Sequence, residues 1–319
     1  MSLARGAPLP AVPTMPLKVC KTLWGVDEAA SPAAWPSLFR RIKSAGFDAV
    51  EAPAAFTWRL DPAGFKRCLA EEGLELIAQV HTSGGTFENG AYQYMTSRDL
   101  DVHTASLDAL VEEAVEQGAV MVNSHSGCDC WEVETIVKFL QHTAEAEERL
   151  GIVVAHETHR RRILHSPFQY RDVFLRSQGA PGGARVTADL SHWACVCERV
   201  FGMPSSDAEN GTDGWWDEVL ADVAERCALI HARVGFAEGP QVPDPRAPEY
   251  AGEFDAHMSW WRTIWRRQAA RGDPISWAEP EFGPGPYLWS LPYTGMPVAN
   301  LWDVNQWTHE RLREAHASM

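Results

Sequence analysis

Short apolar runs of β character alternate with longer stretches in which apolar residues recur every three or four positions, and the alternation persists almost to the C-terminus. The first run, Lys18 to Leu23, precedes a predicted helix from Pro32 to Ala45, with Ser31 as N-cap, Pro32 at the first helical position and Gly46 at its end. Further strands are predicted at Phe47–Glu51, Leu74–Val80, Ala119–Asn123, Gly151–Ala155, Ala184–Ala188, Ala228–Ala232 and Pro274–Ala278. Asp61-Pro62 opens a helix that Gly73 closes, and others are predicted over Asp101–Gln117 and Glu132–Leu150. Eight strand-then-helix units with no change of composition between halves predict one α/β domain, a (β/α)8 TIM barrel, rather than an open doubly wound sheet. Connections after strands are long and rich in Gly, Pro and aromatics, as in Trp193–Gly214, Val234–Phe254 and Phe282–Val298. Those before strands are short. A barrel enzyme needs this asymmetry, because its strand-to-helix loops build the C-terminal face where chemistry occurs. The barrel is expected over residues 18–319, behind a flexible, proline-rich tail over residues 1–17.

The length of 319 residues is compatible with that single barrel, and no apolar run approaches the ~20 residues of a membrane helix. The balance of 28 Lys+Arg against 43 Asp+Glu, a net charge of −15, repels phosphate backbones and anionic lipids, so neither a nucleic-acid nor a membrane partner is expected. The densest basic run is Arg160-Arg161-Arg162, which reads equally well as a receptor for an anionic substrate group or as a solvated loop. Seven scattered cysteines argue against a disulfide framework and for a reducing, cytoplasmic setting. There is no Gly-x-Gly-x-x-Gly after the first strand and no Gly-Lys-Ser/Thr loop, so a nucleotide cofactor is unsupported.

Strand side chains alternate, so residues two apart at the end of a barrel strand share the inward face. Six successive strands end in His or a carboxylate: Gln79-Val-His81, Asn123-Ser-His125, His156-Glu157-Thr-His159, Asp189-Leu-Ser-His192, His231-Ala-Arg233 and Glu279-Pro-Glu281. One such residue is usually a hydrogen-bonded rim group. Several carboxylates pressed together repel one another, and a divalent cation relieves the repulsion. Glu157, Asp189, His231 and one of Glu279 or Glu281 supply three carboxylates and an imidazole, a set suited to Mn²⁺, Mg²⁺ or Co²⁺ and acceptable to Zn²⁺. Glu281, the last residue before the Phe282-Gly-Pro turn, is preferred over Glu279. A cation held beside a substrate carbonyl acidifies the neighbouring C–H, and two carboxylates could then remove and return that proton.

Asp189-x-x-His192, His231 with Arg233, the His-Glu-Thr-His strand end and Pro280-Glu281-Phe-Gly-Pro resemble the xylose-isomerase-like TIM-barrel superfamily, in particular its sugar phosphate isomerase/epimerase branch. The resemblance spans Lys18 to about Tyr287. It implies one metal held by Glu157, Asp189, His231 and Glu281, proton exchange by Glu157 and Glu281, and sugar contacts from His192 and, with a shorter spacing than in that branch, Arg233. His81, His125 and Trp24 are further candidates for contacting the substrate. The expected function is therefore a divalent-metal-dependent isomerase or epimerase of a small carbohydrate, acting by carboxylate-mediated proton transfer through an enediolate. A metal-dependent dehydratase of a keto-cyclitol is the alternative on the same residues. A hydride-shift mechanism wants a lysine near the mouth, and only Lys21 stands near a strand end.

Two readings are weaker. An endonuclease IV-like enzyme would show Asp-x-His where this chain has Asp244-Pro-Arg246, and a non-catalytic sugar-binding barrel has no use for a full acid–base and metal set. Trp24, Phe56, Trp58, Phe87, Trp193 and Tyr287 fall in or near the strand-to-helix loops, where a ring can stack on a sugar. Trp215, Trp216, Trp260, Trp261 and Trp265 fall on helices and suit packing or the contact of a homodimer.

Overall fold

The computed structural model describes residues 15–84, 86–88, 91–93, 97–203 and 214–319. Eight parallel strands form a closed barrel: β1 (Leu17–Thr22), β2 (Ala49–Pro53), β3 (Glu75–His81), β4 (Met121–His125), β5 (Val154–Glu157), β6 (Arg185–Ala188), β7 (Cys227–His231) and β8 (Ser276–Glu279). Each pairs with the next, and β8 returns to β1 through Leu17 opposite Ser276 and Val19 opposite Ala278. The eight units expected from the hydrophobic pattern are the eight observed. Residues 1–14 of the expected tail lie outside the described residues, while Met15 is buried and Pro16 accepts a backbone bond from Ser276, so the barrel begins slightly earlier than read.

The helices are α1 (Trp35–Ser44), α2 (Pro62–Glu72), α3 (Leu100–Gln117), α4 (Val133–Leu150), α5 (Pro167–Arg171), α6 (Ser191–Val196), α7 (Trp215–Arg226), α8 (Ala251–Arg271) and α9 (Leu301–Ala317). Asp61 caps α2 by accepting from the Gly64 amide at 3.0 Å, with Pro62 at the first position and Gly73 closing the helix at φ 63°. The first helix departs from expectation. Pro32–Ala34 is a 3-10 turn, Ser31 makes no side-chain cap, and α1 starts at Trp35. Pro36 has no N–H to return to the Pro32 carbonyl, so the chain tightens there instead of continuing one α-helix.

Two apolar layers hold the barrel. Outside it, Trp35, Phe39, Phe65, Phe139, Trp193 and Trp261 belong to a continuous core between strands and helices. Inside it, Cys20, Ala49, Ile77, Met121, Ala155 and Leu229 plug the lower half, leaving the upper half to polar side chains. Trp216, Trp260, Trp261 and Trp265 are buried in the outer layer and serve packing.

The loops after β6 and β7 touch backbone to backbone at Gly235, where an added Cβ would stand 2.5 Å from the Ser191 carbonyl oxygen and 2.8 Å from its Cα. Neither atom belongs to a movable side-chain tip. Gly235→Ala is therefore expected to destabilise the fold by about 1–3 kcal/mol, as overpacking does elsewhere; a urea midpoint equal to that of the parent would contradict the close contact.

Candidate active site

Inward-facing residues on the polar half of the barrel stack in two tiers, set by the strand register. In the lower tier, Gln79 lies opposite Asn123, Glu279 opposite His231 and Glu51 opposite Thr22. Glu51 accepts from Gln79 Nε2 at 2.7 Å and Asn123 Nδ2 at 3.3 Å and meets His231 Nε2 at 3.0 Å. Glu279 accepts from the Cys20 thiol at 2.7 Å. Burial pushes both Glu51 and Glu279 above the usual carboxylate range, Glu279 strongly.

The upper tier holds the expected metal set. One donor atom each from Glu157, Asp189, His231 and Glu281 lies within 4.8 Å of every other, and all four residues are buried. Glu281 rather than Glu279 completes this group, whereas Glu279 clusters below with Glu51 and the far side of His231. Glu157 Oε1, His231 Nδ1 and Glu281 Oε2 make no hydrogen bond, although Nδ1 and Oε2 stand 2.8 Å apart. Converging buried donors left unsatisfied in this way fit a divalent cation. His231 suits such a ligand because Glu51 engages Nε2 and leaves Nδ1 facing the cluster.

Electrostatically the tier is balanced by two cations. Arg233 is buried, pairs with Asp189 and lies 3.4 Å from Glu281; its Nε donates to Ser191 Oγ at 3.1 Å. Burial alone would raise Glu281 and Glu157, but Arg233 and His231 hold Glu281 below the usual range, and His125 and His231 hold Glu157 well below it. Burial wins at Asp189, which is pushed up to about 7 in spite of Arg233. Burial opposes protonation of His231, yet Glu281, Glu51 and Glu157 together raise it well above an ordinary imidazole. Both glutamates of the upper tier are thus favoured in their carboxylate form.

Four imidazoles ring the mouth beside these groups. His81 and His125 lie 4.1 Å apart between ring centroids, His125 and His159 4.6 Å, and His159 and His192 3.9 Å. His125 Nε2 reaches Glu157 at 2.8 Å, and His192 Nε2 lies 2.8 Å from Arg233. Burial, and then neighbouring positive groups, depress the basicity of His81, His159 and His192. His156 points the other way, onto Ser126 Oγ at 2.7 Å in the outer layer.

Of the aromatic candidates, Trp24 and Tyr287 reach the mouth. Their rings meet edge to face at 5.0 Å, and Arg233 lies 5.0 Å from the Tyr287 centroid and 5.8 Å from that of Trp24. Gly283 makes room for this indole, since a Cβ there would sit 1.9 Å from Trp24 Cζ3. Trp58 and Trp193 are instead core residues, Trp193 donating to the Leu164 carbonyl at 2.8 Å. The side chains of Phe56 and Phe87 lie outside the described residues. The Arg160–Arg162 run divides: Arg162 is buried on the Gly127 carbonyl, and Arg160 lies over Tyr287 at 5.1 Å. The segment after β8 is held by two side-chain amides, Asn305 bonding both the N–H and C=O of Phe282 and Gln241 both those of Gly283, at 2.8–3.1 Å.

Glu51 is not among the residues that the sequence singles out, and Gln79 and Asn123 enter there only as the inward residues two places before His81 and His125. Glu51 ends the predicted second strand, so the strand-end rule applied to strands three to eight would have included it.

A family model described as xylose isomerase-like TIM barrel matches residues 39–235. None of the curated proteins matches the chain in sequence. Among solved structures, D-allulose 3-epimerase from Methylomonas sp. in complex with D-allulose superposes with TM-score 0.59 at 15% identity, covering 94% of this chain and 98% of that one. A xylose isomerase-like TIM barrel protein from Mycobacterium smegmatis in complex with magnesium gives 0.58 at 14% identity, covering 96% and 97%. A probable 3-DHS dehydratase of petrobactin synthesis from Bacillus anthracis gives 0.55 at 11%, covering 94% and 99%.

The histidine row has a consequence for acid stability. Where the folded protein holds an imidazole below the ordinary 6.5, the unfolded chain takes up protons that the native state refuses, so stability falls as pH drops below that value. His231 and Asp189, shifted upward, act in the opposite sense and lose their contribution as pH rises toward and past 7. His159→Gln is accordingly expected to flatten the acid limb of the urea midpoint measured between about pH 5 and 7; an unchanged slope would show that His159 titrates normally.

Proposed function

Since the chain belongs to the xylose isomerase-like TIM-barrel family, we propose that it is a divalent-metal-dependent isomerase or epimerase of a small carbohydrate. The observation that carries this reading is the convergence of Glu157, Asp189, His231 and Glu281 within 4.8 Å at the C-terminal end of the barrel. These residues would hold one ion, Mn²⁺ being the first choice for so oxygen-rich a set and Mg²⁺, Co²⁺ or Zn²⁺ acceptable. When bound, the ion polarises a substrate carbonyl and so acidifies the adjacent C–H.

The remaining chemistry belongs to the protein. Glu157 and Glu281, both favoured as carboxylates by their cationic neighbours, are placed to take the proton from that carbon and to return one. Return to the opposite face epimerises; return to the neighbouring carbon isomerises. His192 and His81, whose basicity burial depresses, and His125 beside them present imidazole rings to hydroxyl groups, and Trp24 with Tyr287 offers ring surface to the apolar side of a sugar. Arg233, already committed to Asp189 and Glu281, would keep the carboxylates ionised and present its edge to a substrate oxygen. The likeness in fold to an epimerase solved with D-allulose supports a sugar ligand. A keto-cyclitol dehydratase is the second reading, supported by the likeness to a probable 3-DHS dehydratase, because proton removal beside a carbonyl begins that elimination too.

Two measurements test the proposal. Manganese-loaded protein is expected to carry one ion per chain by elemental analysis, and Glu157→Gln and Asp189→Asn to retain little after gel filtration; unchanged stoichiometry would remove the site assignment. In D₂O, the parent is expected to place deuterium beside the carbonyl of its sugar, with Glu281→Gln slower by roughly 10²–10⁴-fold. Loss of water rather than exchange without net loss would favour the dehydratase.

A further inference from the structure

A second concentration of positive charge lies outside the barrel mouth. Because β1 side chains alternate and Cys20 turns inward onto Glu279, Lys21 points outward, into the layer between barrel and helices. That layer is mainly apolar, with a few hydrogen-bonded polar side chains such as His156. Lys21 is nevertheless only 2% exposed. Its ammonium donates to the Thr22 carbonyl at 2.8 Å and lies 5.8 Å from the Trp302 ring centroid, and no described carboxylate forms an ion pair with it. An ammonium has three donors, and one backbone carbonyl neither uses them all nor cancels the charge.

Lys21 lines a cavity of about 390 Å³ between the loop after β1 and the segment after β8. Arg41 of α1 also lines it, 4.3 Å from the same Trp302 ring, and pairs at 3.1 Å with Glu28, a half-exposed carboxylate at the edge of the same cavity. The start of α9 completes the wall at Leu301 and Trp302. Their first-turn N–H groups have no helical acceptor, and the Asn300 side chain serves Asp303 instead. Burial lowers the Lys21 amine to about 8, with Arg41 adding to the effect and Glu279 opposing it, which marks a charge without adequate compensation. Trp24 forms the partition between this cavity and the mouth, lining one and facing Arg233 in the other.

We propose that this cavity binds a phosphate group, free or esterified to a small molecule, with Lys21 as its buried counter-charge and Arg41 and the first turn of α9 as further donors. The inference is independent of the metal-site reading, because it is tested on metal-free protein with inorganic phosphate. Calorimetric titration at constant ionic strength is expected to show saturable binding and phosphate to raise the unfolding temperature. Lys21→Met should weaken binding by at least about tenfold and Arg41→Met, on an exposed helix face, by several-fold. Without phosphate, Lys21→Met should unfold at or above the parent temperature, since an apolar chain of similar length removes an uncompensated buried charge. A hexose monophosphate that binds more tightly than phosphate itself would identify an ester as the occupant, and equal affinity the free ion. Absence of saturable binding, or Lys21→Met and Arg41→Met proteins that bind as the parent does, would overturn the proposal.

Discussion

Five carboxyl groups, Glu51, Glu157, Asp189, Glu279 and Glu281, are buried inside one barrel, where each ionised group raises the cost of ionising the next. The arrangement holds because charge is separated by depth. In the lower tier Glu51 and Glu279 are pushed toward their neutral forms and bond to Gln79, Asn123, His231 and Cys20. In the upper tier Glu157 is held toward its anionic form by His125 and His231, and Glu281 by Arg233 and His231. His231 joins the tiers, with one ring nitrogen toward each. Removing His231 or Arg233 would leave buried carboxylates without their counter-charge, which is why these residues are better regarded as one unit than as separate functional side chains.

The apolar plug below makes this possible. Small residues, Cys20, Ala49 and Ala155, and larger ones, Ile77, Met121 and Leu229, pack together in the lower half of the barrel interior. Polar groups are thereby confined to the end where the long loops converge. The outer layer follows the opposite rule, being almost wholly apolar, so the outward-facing Lys21 stands out against it.

Much of this was legible before any coordinates. Short apolar runs, helix-ending glycines such as Gly73 and Gly118, and the contrast between long and short connections define the barrel because each reflects a local backbone requirement. The strand-end residues Glu157, Asp189 and His231 are legible from their places at the strand ends, whereas alternation alone leaves Glu279 and Glu281 as equals. What escaped was set by contacts between distant strands. Glu51 shares a short run with a second acid, Asp48, and only the register of β2 against β1 and β3 places it under His231. Trp193 and Trp24 both follow a strand end closely in sequence, but Trp193 falls in α6 and fills the outer core while Trp24 lies against Gly283, a difference that composition cannot express. Pro36 ends the predicted continuity of the first helix by lacking a donor, although Pro32 alone looked like an ideal start.

The paired amide clamps on Phe282 and Gly283 separate two parts of the segment after β8. Asn305 and Gln241 bind these two peptide units much as a neighbouring strand would, so the position of Glu281 and the bed of Trp24 are fixed independently of the chain beyond them. The residues farther out, from Trp289 to Val298, are mostly solvent-exposed and fold back on themselves through a bridge between Ser290 and Pro297. Such a layout is a natural grafting point: the tip can be lengthened, shortened or exchanged between related barrels to recruit different ligands while the anchored base goes unaltered.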